Sequence, residues 1–245
     1  MKKIGKILFL LVLFLVVFYA SYTTQSGVEF DRVFVTLATF LFSIFTGFFI
    51  SNQNSRYGKI RDAMSQLDGK LSGIYRASMH FGHDMHTRVG EIIKKNYEAI
   101  IASNTWDYNF THKSSTITDL HTNLEQYFST VEKPSEIQKQ ALARVTSALM
   151  DLQSLRKQVI ALREERIPLF QWVLVVLFAA TLLVTVFSLP SQGFLVGSIL
   201  KGAFTVSLVP VIFILRSFAD LELFDGRIGE HSARDVIAIL DGDKS

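Results

Sequence analysis

The 245-residue chain has no cysteine, which removes any disulfide frame, thiol nucleophile or thiolate metal site. Charge is scarce: 19% of residues are Asp, Glu, Lys or Arg, against about 25% in an ordinary soluble domain. The shortfall excludes an ordinary soluble enzyme. Strand-length period-2 alternation, internal repeats and low-complexity tracts are also missing. No Gly-rich phosphate loop, Gly-x-Ser-x-Gly elbow or His-Glu-x-x-His pair occurs, so enzymology has no constellation to stand on. The expectation is a non-enzyme without a cofactor. A net charge of +3 is what basic flanks of membrane helices supply, and nucleic acid is not an expected partner.

Apolar length is plentiful instead. Four runs, at 7–20, 33–50, 169–189 and 194–215, hold much of the hydrophobicity. Residues 51–166, by contrast, carry 16 Lys+Arg and 13 Asp+Glu. A spanning helix needs about 20 mostly apolar residues. The last three runs meet that, and the first is short. Lys2, Lys3 and Lys6 before it would suit a signal peptide, but Phe18 stands where a small residue should precede Ala20, which argues for a retained anchor.

Lys/Arg asymmetry sets direction. Lys2, Lys3 and Lys6 precede the first run, and the following loop holds Arg32 against Glu29 and Asp31. Arg56, Lys59 and Arg61 follow the second run, Arg163 and Arg166 precede the third, the turn 190–193 is uncharged, and Arg216 closes the fourth. Positive ends alternate with neutral ends, which places both termini and residues 51–166 inside. Tyr19 and Tyr22 at the outer boundary, with Phe170 and Trp172 at the inner one, agree. The expected architecture is an all-α integral membrane protein of the bacterial inner membrane. Four transmembrane helices form a 2+2 arrangement, with a cytoplasmic helical bundle between the second and third. Its parts are a hairpin at 1–52 (spans 7–22 and 33–50), the bundle at 53–167, a second hairpin at 168–216 (spans 169–189 and 194–215) and an acidic cytoplasmic tail at 217–245.

Within the insert, Ile60, Met64, Leu67, Leu71 and Ile74 recur with 4-3-4-3 spacing, a coiled-coil-like seam on a helix continuing from the second run. Gly82 and His83 interrupt it, and Asp84 is placed to cap the next helix, whose stripe is Val89, Ile93, Tyr97 and Ile100. Residues 103–115 read as a loop, 116–131 as a third helix ending before Pro134. A last helix shows Leu142, Val145, Leu149, Leu152, Val159 and Leu162 and bends at Pro168 into the third run.

Helical-wheel arithmetic at 100° per residue groups Thr36, Thr39, Ser43, Thr46 and Gly47 on one side of the second run. Phe34, Phe42, Phe45, Phe48 and Phe49 fall roughly opposite and are expected to meet lipid. The hydroxyl and glycine stripe suits either close helix packing or the lining of a pore. On the fourth run Gly193, Gly197, Ser198, Lys201, Gly202 and Thr205 share a face. Counting from Gln192 at 1.5 Å per residue puts Lys201 about 10–13 Å deep in the bilayer. Two readings stand for it: a functional charge within the membrane, or an ammonium snorkelling to the outer headgroups. Pro210 is expected to kink this helix, with Ser207 or a neighbour satisfying the freed carbonyl. His80, His83 and His86 with Asp84 are weak metal candidates, since their spacing spreads them over about 120° of a helix. The acidic turn at 223–230 suits solvation, packing under the bundle or a cation.

Three segments carry a resemblance: residues 56–76 with the seam and the Ile74-Tyr75-Arg76 end; Leu152-x-x-Leu155-Arg156 on the helix before Pro168; and Asp220-Leu221-Glu222-Leu223-Phe224-Asp225-Gly226 after the fourth run. Over about residues 30–240 the chain resembles the bestrophin-like membrane family, distant from the bestrophin anion channels. The resemblance implies an all-helical membrane protein, a pentamer around a central pore, and by analogy anion conduction. Bestrophin necks are lined by bulky apolar residues of the second span, whereas this stripe is Thr, Ser and Gly. Two functions therefore stand as expectations. One is a homo-oligomeric ion channel with anion preference, in which Lys201 adds positive potential to a pore lined by the second run. The other is a non-conducting signalling or scaffold protein whose cytoplasmic bundle docks a protein partner. The short outer loops speak against sensing an external ligand.

Overall fold

The computed structural model describes residues 2–23, 32–103, 105–165, 167–188, 194–221 and 228–241. The loop before Arg32, the turn 190–193 and most of the acidic turn at 223–230 lie outside the described residues, as does the side chain of Phe34. Among the described residues all regular structure is helical: α1 (Lys2–Thr23), α2 (Arg32–Ser78), α3 (His83–Ser103), α4 (Tyr108–Thr111), α5 (Thr116–Thr130), α6 (Glu136–Glu164), α7 (Leu169–Ser188), α8 (Phe194–Ala219) and α9 (Ile228–Leu240), with a 3₁₀ turn at Met79–Phe81. The chain divides into two compact units. One comprises Met1–Ser55 and Arg166–Asp220, the other Arg56–Glu165 and Leu221–Ser245, so α2 contributes to both.

In the first unit, α2, α7 and α8 are each long and apolar enough to cross a membrane, and α1 carries a shorter apolar helix at Leu11–Ala20. Their core forms where small and large apolar side chains meet. Ala38 and Phe42 of α2 pack with Ala179 and Leu182 of α7 and Leu208 of α8, and Phe49 packs with Val175, Leu215 and Ile167. Pro210 lies inside α8, which stays helical on both sides of it. Ser207 Oγ donates to Ala203 O at 2.8 Å, and so does not serve the carbonyl of Val206 that the missing Pro210 amide releases.

The second unit is built from amphipathic helices. Leu71 and Ile74 of α2, Val89, Ile93 and Tyr97 of α3, Leu120 and Leu124 of α5, and Val145, Leu149 and Leu152 of α6 form one core. A second cluster joins Ile60 and Ala63 to Trp106, Leu155, Val159 and Leu221. Of the α2 seam, Ile60, Leu71 and Ile74 are buried, while Met64 and Leu67 are half-buried and pack against the core that Ala63 enters beside them. The residues expected as tail supply α9, whose Ala233 and Val236 enter the larger core.

Local boundaries depart from expectation at three points. Gly82 (φ 98°) makes the turn between the 3₁₀ segment and α3, a conformation that glycine reaches without strain. Because α3 begins at His83, Asp84 sits within its first turn rather than at its cap, where it pairs with Arg88 at 3.1 Å. At Pro168 the chain breaks instead of bending: α6 ends at Glu164, and Pro168 O accepts from Gln171 N (3.0 Å) and Trp172 N (3.4 Å) as α7 starts. The segment read as a loop contains the short α4. Ser135 opens α6 with a reciprocal capping box, accepting from Gln138 N at 3.3 Å while its own amide donates to Gln138 Oε1 at 2.9 Å. Leu221 adopts φ 57°, which costs a non-glycine residue about 1–2 kcal/mol. Its buried side chain offsets this by about 2 kcal/mol.

Candidate functional site

Three sectors run along the apolar part of α2. Phe42 and Phe49 are only 7% and 5% exposed, and Phe45 stacks on Phe178 with ring centroids 5.1 Å apart. This corrects the expectation that Phe42, Phe45 and Phe49 meet lipid. A wheel shows which residues share a face, but in an apolar unit large rings bury wherever a neighbour offers a matching surface. The outward apolar sector consists of Leu37, Phe40, Ile44 and Phe48, the last 63% exposed as anticipated. Beside it lies the third sector, Thr36, Thr39, Ser43 and Gly47, all exposed. Thr39 Oγ1 donates to Val35 O at 2.9 Å, and a Cβ on Gly47 would meet nothing within 4 Å. Thr46 leaves the stripe: it is buried, and its Oγ1 has no hydrogen-bond partner among the described residues.

The small face of α8 is occupied within the chain. A Cβ on Gly202 would lie 2.8 Å from the Phe14 ring of α1, so the absence of a side chain is what admits α1 this close. Ser198 and Thr205 are buried, and Thr205 Oγ1 donates to Lys201 O at 2.9 Å. Gly197 and Lys201 are half-buried; Gly193 lies outside the described residues. Lys201 Nζ donates to Phe187 O at 3.2 Å, in the last turn of α7, where a cation opposes the negative end of the helix dipole. Two small-residue faces that look alike in sequence thus differ in place. That of α2 is open, and that of α8 packs.

Buried charge in the second unit sits at helix ends. Arg56 is 4% exposed, and its guanidinium donates to Leu162 O (Nε, 2.6 Å) and Arg163 O (Nη2, 2.8 Å). These carbonyls belong to the last turn of α6, which has no intrahelical donors left for them. Arg163 in turn pairs with Asp107 at 2.7 Å. Further along α2, Asp68 accepts from Tyr97 Oη at 2.6 Å. Burial first, then the Asp68 carboxylate, push the Tyr97 phenol well above its ordinary value. Asp68 and Tyr97 border a cavity of about 80 Å³, walled by Leu67, Trp106 and Phe110 together with Asn96, Asn109 and Arg156. Asn109 Nδ2 donates to Asn96 Oδ1 at 2.9 Å. Arg156 donates through Nη2 to the carbonyls of Asn109 and His112, and its buried Nε has no partner among the described residues. Sequence reasoning missed this largely apolar pocket and the polar groups at its border, because its members come from α2, α3, α5, α6 and the segment around α4.

Among the described residues, His80, His83 and His86 are not brought together. His86 Nδ1 lies 2.9 Å from Ser78 Oγ, and its ring stacks on Tyr75 at 4.2 Å. His80 and His83 are exposed, and no group of three His, Cys, Asp or Glu placed to hold a metal occurs among the described residues. Lys94 on α3 pairs with Asp241 beyond α9 at 2.7 Å, and that hydrogen bond holds its ammonium above the ordinary value.

An all-helical chain with three helices apolar and long enough to cross a bilayer defines the class, a helical membrane protein. Residues 7–228 match the family model of the bestrophin-like domain, and the chain belongs to that family. No curated protein and no solved structure matches it.

Proposed function

We propose that this bestrophin-like chain is a non-enzymatic ion channel with anion preference, formed by several copies around an axis with the α2 stripe lining the pore. In this reading α1, α2, α7 and α8 all span the cell membrane, and the Arg56–Glu165 unit and both termini are cytoplasmic. The alternation of basic and neutral helix ends supports that sidedness. The observation that carries the pore is the partition of α2. Its phenylalanines at 42 and 49 are consumed in packing, Phe40 and Phe48 suit lipid, and the sector left without apolar cover is Thr36, Thr39, Ser43 and Gly47. A ring of such hydroxyls suits a hydrated path better than a lipid surface. Lys201, held at the end of α7 by Phe187 O, adds positive potential without lining the pore.

Planar-bilayer recording of the purified chain tests the reading. Wild-type protein is expected to conduct anions, Ser43→Phe to block the current, and Lys201→Ala to leave conductance while weakening anion preference. Preparations with no current above an empty bilayer would overturn it. A soluble protein co-purifying with such a silent preparation would support the docking alternative instead.

A further inference from the structure

We infer that the groove between α2 and α6 is a binding site for the phosphomonoester group of a small molecule with an apolar body. The site is independent of whether the chain conducts. The groove encloses about 420 Å³, within the range of small-molecule pockets, roughly 300–1,000 Å³. Its floor is apolar, formed by Ile74, Ala77, Ala141, Val145 and Ala148. Its walls carry Lys70, Arg76, His80 and Arg144, and no carboxylate lines it.

Register places two of these cations together. The two helices run antiparallel, pinned at one level by Arg56 on the carbonyls of Leu162 and Arg163. At another level they are pinned by Lys70 on Asp151 (2.6 Å). Arg76 lies six residues beyond Lys70 on α2, and Arg144 lies seven before Asp151 on α6. At 1.5 Å per residue they lie about 9 and 10.5 Å along their helices from Lys70 and Asp151, so the two residues stand near one level on opposite walls of the groove. Lys70 is committed to Asp151, whereas Arg76 and Arg144 have neither an ion pair nor a hydrogen bond among the described residues. Two unneutralised guanidiniums across a groove repel each other, and a dianion between them removes that repulsion. A phosphomonoester supplies two charges and three terminal oxygens to two planar donor forks, which one carboxylate does not.

Glycine marks the space for the rest of the molecule. Gly69 and Gly73 lie within α2, where each costs about 1 kcal/mol relative to alanine, yet a Cβ at either would meet nothing within 4 Å. Packing within the chain therefore does not require them. They keep the groove open beside the apolar floor, where a flat ring or a short acyl stem would rest.

Equilibrium dialysis of the full-length chain in detergent tests this with AMP, adenosine and short-chain phosphatidate. Either phosphomonoester is expected to bind, with adenosine at least about tenfold weaker. Binding to AMP assigns a soluble ligand, and binding to phosphatidate alone assigns a lipid headgroup. The double variant Arg76→Gln, Arg144→Gln is expected to lose at least about tenfold in affinity, with Arg76→Lys, Arg144→Lys falling between. Gly73→Leu, which fills the groove without touching charge, is expected to weaken binding comparably. Equal binding by wild type and the glutamine double variant, equal binding of adenosine and AMP, or no binding of either phosphomonoester would overturn the assignment.

Discussion

The two units of this chain solve burial in opposite ways. In the Arg56–Glu165 unit, apolar residues recur at helical spacing among charged ones, so the buried face of each helix is its one continuous apolar stripe. Ile60, Ile74, Val89, Ile93, Leu120 and Val159 are each buried where the period places them. In the unit of α1, α7, α8 and the first part of α2, large apolar residues occupy more than one face of a helix. Phe42 and Phe48 are chemically identical and six residues apart, and one is 7% exposed and the other 63%. Where two faces are both apolar, contrast in polarity no longer selects the one that packs. Shape does: glycine at 202 opposite Phe14, alanines at 38 and 179 opposite Phe42 and Leu182.

The contrast has measurable consequences. Ile93→Ala removes a side chain with no exposure from the core of α3 and is expected to destabilise the second unit by about 3 kcal/mol. Phe48→Ala removes a larger ring from α2 and is expected to cost under about 1 kcal/mol in detergent, since the ring is mostly exposed and loses only an edge contact with Phe49. Denaturant titration followed by helical circular dichroism compares the two, and similar costs would erase the distinction. Arg56→Met is expected to cost about 2.5 kcal/mol by the same measurement, because two α6 carbonyls lose charged donors while the stem volume is kept. Gly202→Leu is expected to cost about 2 kcal/mol through overpacking against Phe14, whereas Gly47→Leu on the open α2 sector costs nothing similar. Tyr97→Phe is expected to cost about 1 kcal/mol at neutral pH through the lost Asp68 bond.

Tyr97 also carries a pH signature. Its folded-state pKa is raised, so its contribution is fully present below the unfolded phenol value of about 10 and is lost as pH rises through the folded value. Stability of wild type should therefore fall with rising pH above that point, and the Tyr97→Phe variant should lack this component of the slope.

The extent to which the sequence was legible follows the same division. The α2 seam, the stripe on α3 and the α6 stripe could be read because a helix half in water must keep one face apolar. The capping box at Ser135 and Gln138 was equally available as a Ser-x-x-Gln pattern before an apolar run. Helix α9 was less so, since the surrounding Asp and Glu residues outweighed the short Ala233–Val236 stripe in a composition-led reading. The pocket bordered by Asp68, Tyr97, Asn96 and Arg156 was not legible, because its residues are separated by up to 88 positions and none forms a local motif. Likewise the stripe of α8 and that of α2 have the same small-residue chemistry, and only their neighbours tell them apart.

Sequence by itself determined that the chain is helical, where its apolar helices lie, and which face of each amphipathic helix is buried. Those properties depend on local chemistry: hydrophobic length, period and charge distribution. Tertiary structure alone decided which phenylalanines of α2 turn inward, that Lys201 reaches the end of α7, and that Leu221 takes a left-handed backbone to fill a core. It also set Arg76 level with Arg144. Each depends on which side chain stands opposite, and complementarity between distant segments becomes defined only when the helices are packed.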